Sequence, residues 1–495
     1  MPQNADYDYV VIGAGAAGSI VAAEAARAGH SVLLLEVGLP VSPDNQDVWN
    51  PTRWNNLLSD PAFEMGYVST RQAHLNNQQK NLLQSRGPGG CQIHNAMVYV
   101  RGGRPTYDHW ETKLGCTGWG YEALLPHFKA IESKLRVVTA KPDPFSDSII
   151  EAAGRLGYPA NPDYNGGPNE YGAVRFQFTM EETEKVGLRR TTTFEKYIGG
   201  ADLPTLTVKT GVSVMRLVLQ RDMETGVEYS DATGTQTTVY ARREVVLSAG
   251  AIATPTILLR SGVGDGLAHH LPEVGRNFYD DLGIGFPAFT LTELPPTPYG
   301  FAGAGIFASD RGNPPPDPAA FGAMNLEMQI ATSTMAGPSH AWQPSFAMIG
   351  VSAMHLESRG TVSLDPANPY GHPLVDPAWL TAPGDMDRCR AALRLCNQVA
   401  WDAELMKKWS WIPLPILSPD EWIALTGTTV QHYVGSCRMG TGPENSVVGP
   451  DLRVHGLKGI RVIDASAAPT PVSGNTAGVS MVIGAKGAEM LLSAS

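Results

Sequence analysis

The sequence predicts an α/β protein of two domains, one of them a nucleotide-binding fold assembled from separate stretches of chain. Three observations predict it. The apolar run Tyr9-Val10-Val11-Ile12 leads directly into Gly13-Ala14-Gly15-Ala16-Ala17-Gly18, and the chain then reads as helix, strand and a terminal acid, Glu36. A second strand-to-helix passage, Val245-Val246-Leu247 into Ser248-Ala249-Gly250-Ala251, stands mid-chain. A third, residues 459–463 followed by 476–492, closes it. Residues 286–430 between them are rich in Pro, Trp and Met and lack the strand-helix-strand rhythm, so a different domain is inserted there.

In order along the chain, residues 8–36 read as strand, tight turn, helix and strand. The helix over 16–27 is Ala-rich and stops at Gly29. The strand over 31–36 is continuously apolar, as a parallel strand covered on both faces should be. Residues 44–81 are polar and irregular. Gly87-Pro88-Gly89-Gly90 is a permissive turn. Residues 203–250 are strand-like, with a turn within 221–234, and lead to a helix over 254–260 that stops at Ser261-Gly262. Asn313-Pro314-Pro315-Pro316 reads as a surface loop. No internal repeat or low-complexity tract stands out.

Over 495 residues, 48 Asp and Glu against 37 Lys and Arg give a net charge of -11. That balance argues against nucleic acid or an anionic membrane as partner, since both need clustered bases. The five cysteines include no Cys-x-x-Cys, which predicts a reduced, cytoplasmic protein without structural zinc. No basic-then-apolar leader opens the sequence, and no run approaches the ~18 apolar residues of a membrane span.

The glycines suggest division of labour. Gly13 permits the turn, Gly15 lets backbone approach a pyrophosphate, and Gly18 lets helix meet strand. The helix N-terminus then offers free N–H groups to phosphate. Glu36, roughly 20 residues on, is placed for a ribose hydroxyl. A glycine-rich turn in an unrelated α/β protein is the alternative, but strand, helix, strand and acid in register favour a dinucleotide. The motif alone does not separate NAD from FAD.

Four further stretches extend the pattern. They are Gly87-Pro88-Gly89-Gly90-Cys91-Gln92-Ile93-His94-Asn95-Ala96-Met97-Val98; Gly250-Ala251-Ile252-Ala253-Thr254-Pro255 through Gly264; His432 through Gly440; and Gly459-Ile460-Arg461-Val462-Ile463-Asp464-Ala465-Ser466 through Asn475. With the N-terminus, they resemble the glucose-methanol-choline (GMC) oxidoreductase family, nearest its choline-oxidase-like and pyranose-dehydrogenase-like members. The resemblance implies a discontinuous, Rossmann-like FAD-binding domain over 1–150, 190–285 and 432–495. It implies an α+β substrate domain with an antiparallel sheet over 151–189 and 286–431. It places Gly13, Gly15, Ala16, Ala17, Gly18, Glu36, Arg86, Gly89, Gly90, His94, Asn95, Ala96, Met97, Val214, Ala249, Gly250, Asp464, Ala465, Asn475 and Thr476 around FAD. One departure stands out: family members usually read Asp-His after the Gly-Arg-Asn stretch, whereas Gly275-Arg276-Asn277-Phe278-Tyr279 runs into Asp280-Asp281. The connection from Gly264 to Gly275 is also short. Residues 286–345 match nothing recognisable and should carry substrate identity.

His432 and Asn475 match the family's catalytic pair. Alcohol oxidation needs the O–H proton removed and the carbon-bound hydrogen passed to flavin N5. A His can take the proton, and an Asn amide can donate to the developing alkoxide. A satisfied core His and a turn Asn are the plain alternative. Thr476 opens the last helix, whose dipole would face the flavin pyrimidine edge. His94, in Gly-Gly-Cys-x-x-His-Asn, corresponds to the residue that carries flavin covalently in some members; otherwise it is only a neighbour of the ring. Val214 corresponds to a backbone contact with adenine. Cys437 reads as a small buried hydrophobe, and His269-His270 as surface rather than metal ligands. Trp342, Trp409 and Trp411 are candidates for either pocket or core. The expected activity is oxidation of a small-molecule alcohol, with oxygen or another acceptor taking the electrons. A flavin-containing lyase or photodecarboxylase is the alternative, and a protein keeping FAD as a structural element is a third reading.

Overall fold

The apolar strand Tyr7–Ile12 lies inside a seven-stranded sheet, which explains why its residues need no polar alternation. In the computed structural model, which describes residues 6–167, 170–184, 187–219, 225–292, 294–295, 297–333, 345–416 and 418–493, the order is Leu206–Lys209, Val32–Leu35, Tyr7–Ile12, Gln236–Leu247, Gly226–Ser230 and Ser213–Val218. Ile460–Val462 pairs with the end of Gln236–Leu247. That twelve-residue strand has two partners by halves. Its first half runs antiparallel to Gly226–Ser230, and its second runs parallel to Tyr7–Ile12. Val10, Val11, Val245 and Val246 are completely buried there. Part of the turn expected within 221–234 lies outside the described residues. Within the described part, Asp231 Oδ1 accepts the N–H groups of Thr233 and Thr235 and closes the hairpin.

Helix Ala16–Arg27 packs on one face of this sheet and against the C-terminal helix Ala477–Ser493. Helix Gly250–Arg260 starts earlier than its sequence suggests. The reason is distant in the chain: Asp464 Oδ2 accepts the Gly250 N–H at 2.8 Å and the Thr254 hydroxyl at 2.6 Å. Residues 44–81 are more ordered than expected. Asn45 and Asn50 side chains cap Gln46–Trp49 and the 3-10 segment Pro51–Ser59.

The second sheet has eight strands and is almost wholly antiparallel. Its order is Trp411–Pro413, Leu282–Thr290, Ser345–Ala353, Leu326–Ser333, Ala304–Ala308, Gly172–Arg175 and Ala160–Asn161, with Thr428–Thr429 also on Leu282–Thr290. Helix Asp385–Ala400 covers it. The architecture is therefore a Rossmann-like parallel sheet joined to an α+β unit built on an antiparallel sheet. Leu282–Thr290 starts immediately after Asp281, so the Asp280-Asp281 pair stands at the junction of the two. Asn313-Pro314-Pro315-Pro316 lies in a loop, exposed except for Pro315. Among the described residues no helix is long and apolar enough to cross a membrane.

Candidate active site

The cofactor half begins where Tyr7–Ile12 ends. Gly13 has φ +99°, and a Cβ there would lie 2.4 Å from the Ser248 carbonyl oxygen, so a side chain is excluded twice over. Gly15 caps helix Ala16–Arg27 without a side-chain acceptor, which leaves the first N–H groups and the positive dipole end open. The loop carrying Gly89 and Gly90 crosses close by. Gly89 N–H donates to Ala14 O at 2.8 Å. A Cβ on Gly90 would lie 2.8 Å from Gly15 Cα.

Glu36 sits under this crossing. Oε2 accepts the Ala14 N–H at 2.9 Å, while Oε1 accepts those of Gly38 at 2.8 Å and Gly87 at 2.9 Å. Burial pushes its pKa up, opposed by these three amides. The single bond at Oε2 leaves a lone pair for one more donor.

The segment 90–97 is anchored by a residue the sequence reading missed. Arg190 is fully buried and donates to the carbonyls of Val48, Gln92 and Asn95 and to Asn95 Oδ1, at 2.7–2.8 Å. Burial lowers its pKa to about 9. His94, in this segment, places Nδ1 2.8 Å from Glu64 Oε1. Burial alone would lower the His94 pKa, but Cys91 and Glu64 outweigh it and raise it to about 9.

His432 is held on three sides. Its backbone N–H donates to Asp280 Oδ1 at 2.9 Å, ring Nδ1 lies 2.7 Å from Asp281 Oδ2, and Nε2 lies 3.1 Å from Asn475 Nδ2. Burial opposes the charged imidazole, but the hydrogen bond to Asp281 and the nearby Asp281, Glu327 and Asp280 carboxyls raise its pKa overall. Asn475 stands just before the C-terminal helix, and its Oδ1 is buried with no partner in the protein.

These residues line one cleft of about 740 Å³ between the two sheets. Gly13, Gly15, Ala16, Ala17, Glu36, Arg86, Gly90, His94, Asn95, Ala96, Met97, Val214, Ala249, Gly250, Asp464, Ala465 and Thr476 share it with His432 and Asn475. Gly18 and Gly89 are not on its wall: Gly18 packs behind the Gly13 turn, and Gly89 braces Ala14. The Asp464 carboxylate is occupied by Gly250, Thr254 and Ser466, so it ties elements together and offers the cleft little. Trp54, Leu58, Gln329, Ser352 and Val430 also line the cleft. Trp409 and Trp411 instead pack on Phe145 in the core, and Trp342 lies outside the described residues. Cys437 is buried and unpaired. His269 and His270 form a short strand with Val263–Gly264, and among the described residues no group of three His, Cys, Asp or Glu side chains could hold a metal.

The donor set fits a flavin dinucleotide. A bare helix N-terminus beside close-approaching glycines suits a pyrophosphate, the free lone pair of Glu36 suits a ribose hydroxyl, and the cleft continues to His94 and the unpartnered Asn475 amide oxygen. Residues 7–282 and 357–484 match the two parts of the GMC oxidoreductase family. The chain belongs to that family. Oxygen-dependent choline dehydrogenase of Escherichia coli K12 is 29% identical, over 98% of this chain and 95% of its own. Pyridoxine 4-oxidase from Mesorbium loti superposes with a TM-score of 0.85 at 26% identity, covering 97% of this chain and 98% of its own. A fungal aryl-alcohol oxidase shares the fold, with TM-score 0.81 at 20% identity over 99% of both chains. As a GMC oxidoreductase, the protein is an FAD-dependent alcohol oxidoreductase.

Proposed function

We propose that this GMC oxidoreductase oxidises a small-molecule alcohol, with His432 as the base and Asn475 as the hydrogen-bond donor to the hydroxyl. One observation carries the reading: His432 Nε2 and Asn475 Nδ2 are 3.1 Å apart on the wall of the cofactor cleft. A hydroxyl seated beside both would give its proton to Nε2 while its oxygen accepts from the second N–H of the amide. The carboxyls around His432 favour the imidazolium that results. Bound FAD would supply the acceptor for the hydride. Gly13, Gly15, Ala16 and Ala17 would hold its pyrophosphate, Glu36 a ribose hydroxyl and Val214 the adenine. Thr476 and the C-terminal helix would lie at the ring. We further propose that His94 bonds covalently to the flavin, supported by its burial in the cleft wall and by Glu64 holding its Nδ1.

On this reading residues 1–150, 190–285 and 432–495 bind FAD, and 151–189 and 286–431 shape the substrate site. Five unpaired cysteines agree with a cytoplasmic, reducing setting. The names of the relatives direct the substrate search to small hydroxymethyl compounds and amino alcohols, choline and pyridoxine among them. The test is anaerobic mixing in the dark with a panel of such alcohols, polyols and sugars. Bleaching of the flavin is the expected result. If the whole panel fails, the alcohol reading falls and a non-redox lyase or photodecarboxylase takes its place.

A further inference from the structure

Asp281 stands where the Gly-Arg-Asn stretch departs from the family pattern, and the structure gives that departure a partner. It sits at the head of Leu282–Thr290 with 1% of its area exposed. The Tyr279 hydroxyl donates to Oδ1, itself accepting the Leu356 N–H at 3.1 Å. Oδ2 lies 2.7 Å from His432 Nδ1. A carboxylate only accepts, so the proton of a neutral His432 ring belongs on Nδ1. The other neighbour agrees: Asn475 presents an amide N–H to Nε2, which requires a lone pair there. Both contacts select one tautomer, with the acceptor nitrogen facing the cleft.

We propose that Asp281 is a positioning residue that fixes the Nδ1–H tautomer of His432 and sets how firmly its ring holds an abstracted proton. The catalytic consequence rests on the alcohol-oxidation reading above; the tautomer assignment does not. The proton step balances simply. The substrate O–H proton moves to His432 Nε2, the imidazolium keeps Nδ1–H on Asp281, and no group on Asp281 changes its bonding.

The groups that face His432 define what else can act. Asp280 approaches from the same segment and holds the His432 backbone N–H. Glu327 approaches from Leu326–Ser333, buried, with Oε1 on the Gln329 amide and Oε2 unpartnered. Tyr433 follows in the chain, and its hydroxyl bonds Thr429. Among the carboxyls around His432, that of Asp281 contacts a ring nitrogen. Asp281→Asn would remove the charge and allow its amide to donate to Nδ1, selecting the reversed tautomer with Nε2–H facing the substrate.

The test is a pH titration of the holoenzyme labelled with nitrogen-15 histidine, using His432→Gln to assign the resonance. Wild-type His432 should show Nδ1 protonated and Nε2 bare at high pH. In Asp281→Asn its pKa should fall by at least about one unit, the scale for losing an opposite charge in contact. The acid limb of anaerobic flavin reduction should move to lower pH by the same amount, with a plateau about 100-fold lower. Asp281→Glu, which keeps the charge, should retain the wild-type pKa more nearly. A wild-type ring with its proton on Nε2 would overturn the proposal without any variant, so failure of Asp281→Asn to fold does not protect it. An unchanged His432 pKa in an Asp281→Asn protein that keeps its FAD would also overturn it. If the titrations behave as expected but no alcohol bleaches the flavin, the dyad stands and the alcohol reading fails alone.

Discussion

His94 Nδ1 and Glu64 Oε1 lie 2.8 Å apart, with side chains 3% and 7% exposed. The contact sets a carboxylate beside one ring nitrogen, and the Cys91 side chain also neighbours the ring. The Glu64 carboxyl is itself placed by its other oxygen, which accepts the Gln84 N–H at 3.0 Å. Glu64 and His94 thus stand together at the wall of the cleft.

Acid-denatured protein should remain yellow, and a peptide containing His94 should carry the flavin mass. His94→Ala should release its FAD on denaturation while keeping it when folded, because the Gly13 turn and Glu36 are untouched. Recovery of all flavin in the supernatant of denatured wild type would show that His94 only neighbours the ring.

The cluster of His94, Cys91 and Glu64 makes a prediction for FAD-free protein. The folded-state pKa of His94 is raised from 6.5 to about 9. A raised pKa means its contribution to stability is fully present below pH 6.5 and is lost as pH climbs through 9. At ~1.36 kcal/mol per unit the net shift is about 3 kcal/mol, to which Cys91 and Glu64 both contribute against the burial of the ring. Thermal unfolding of wild type and Glu64→Gln should therefore differ most near pH 6 and converge above pH 9. A gap that stays constant across this range would remove the ion pair as its cause.

Substitution of the proposed catalytic pair should separate chemistry from binding. His432→Ala should slow anaerobic flavin reduction by about 100-fold or more, the usual scale for loss of a general base. Asn475→Ala should also slow it, by up to a comparable factor, since one donor to a developing oxyanion is lost. Both proteins should keep their flavin spectrum. Stopped-flow rates near wild type in both variants would end the assignment.

Gly13→Val should abolish cofactor loading. A side chain there meets the Ser248 carbonyl at 2.4 Å and must adopt φ +99°, so the turn opens or the strand end shifts. Purified protein should be colourless or fail to accumulate. A yellow, stable variant would show that the turn is not part of the cofactor cradle.

Much of this organisation is legible along the chain because its causes are local. Tyr9-Val10-Val11-Ile12, the glycine turn, the helix from Ala16 and the acid at Glu36 each follow from neighbours within a few residues, and helix Ala16–Arg27 has the bounds its sequence predicts. The motifs around His432 and Asn475 mark them as candidates, and the fold brings the two side chains together. Trp409 and Trp411 were not assignable, because a large aromatic side chain lines a cavity or fills a core by the same chemistry, and only the packing of Phe145 distinguishes the two.

What surrounds the candidate chemistry depended on tertiary structure. Asp281 meets His432 across 151 positions of sequence, Asp464 caps Gly250 across 214, and Arg190 reaches Asn95 across 95. In sequence, Asp280-Asp281 appeared only as a departure from a pattern, and Glu64, Arg190 and Glu327 gave no signal. A side chain's own type states what it can donate, accept or ionise. Whether it does so beside a base depends on which distant segment crosses it and how much water that crossing excludes. Both are consequences of how the two sheets meet.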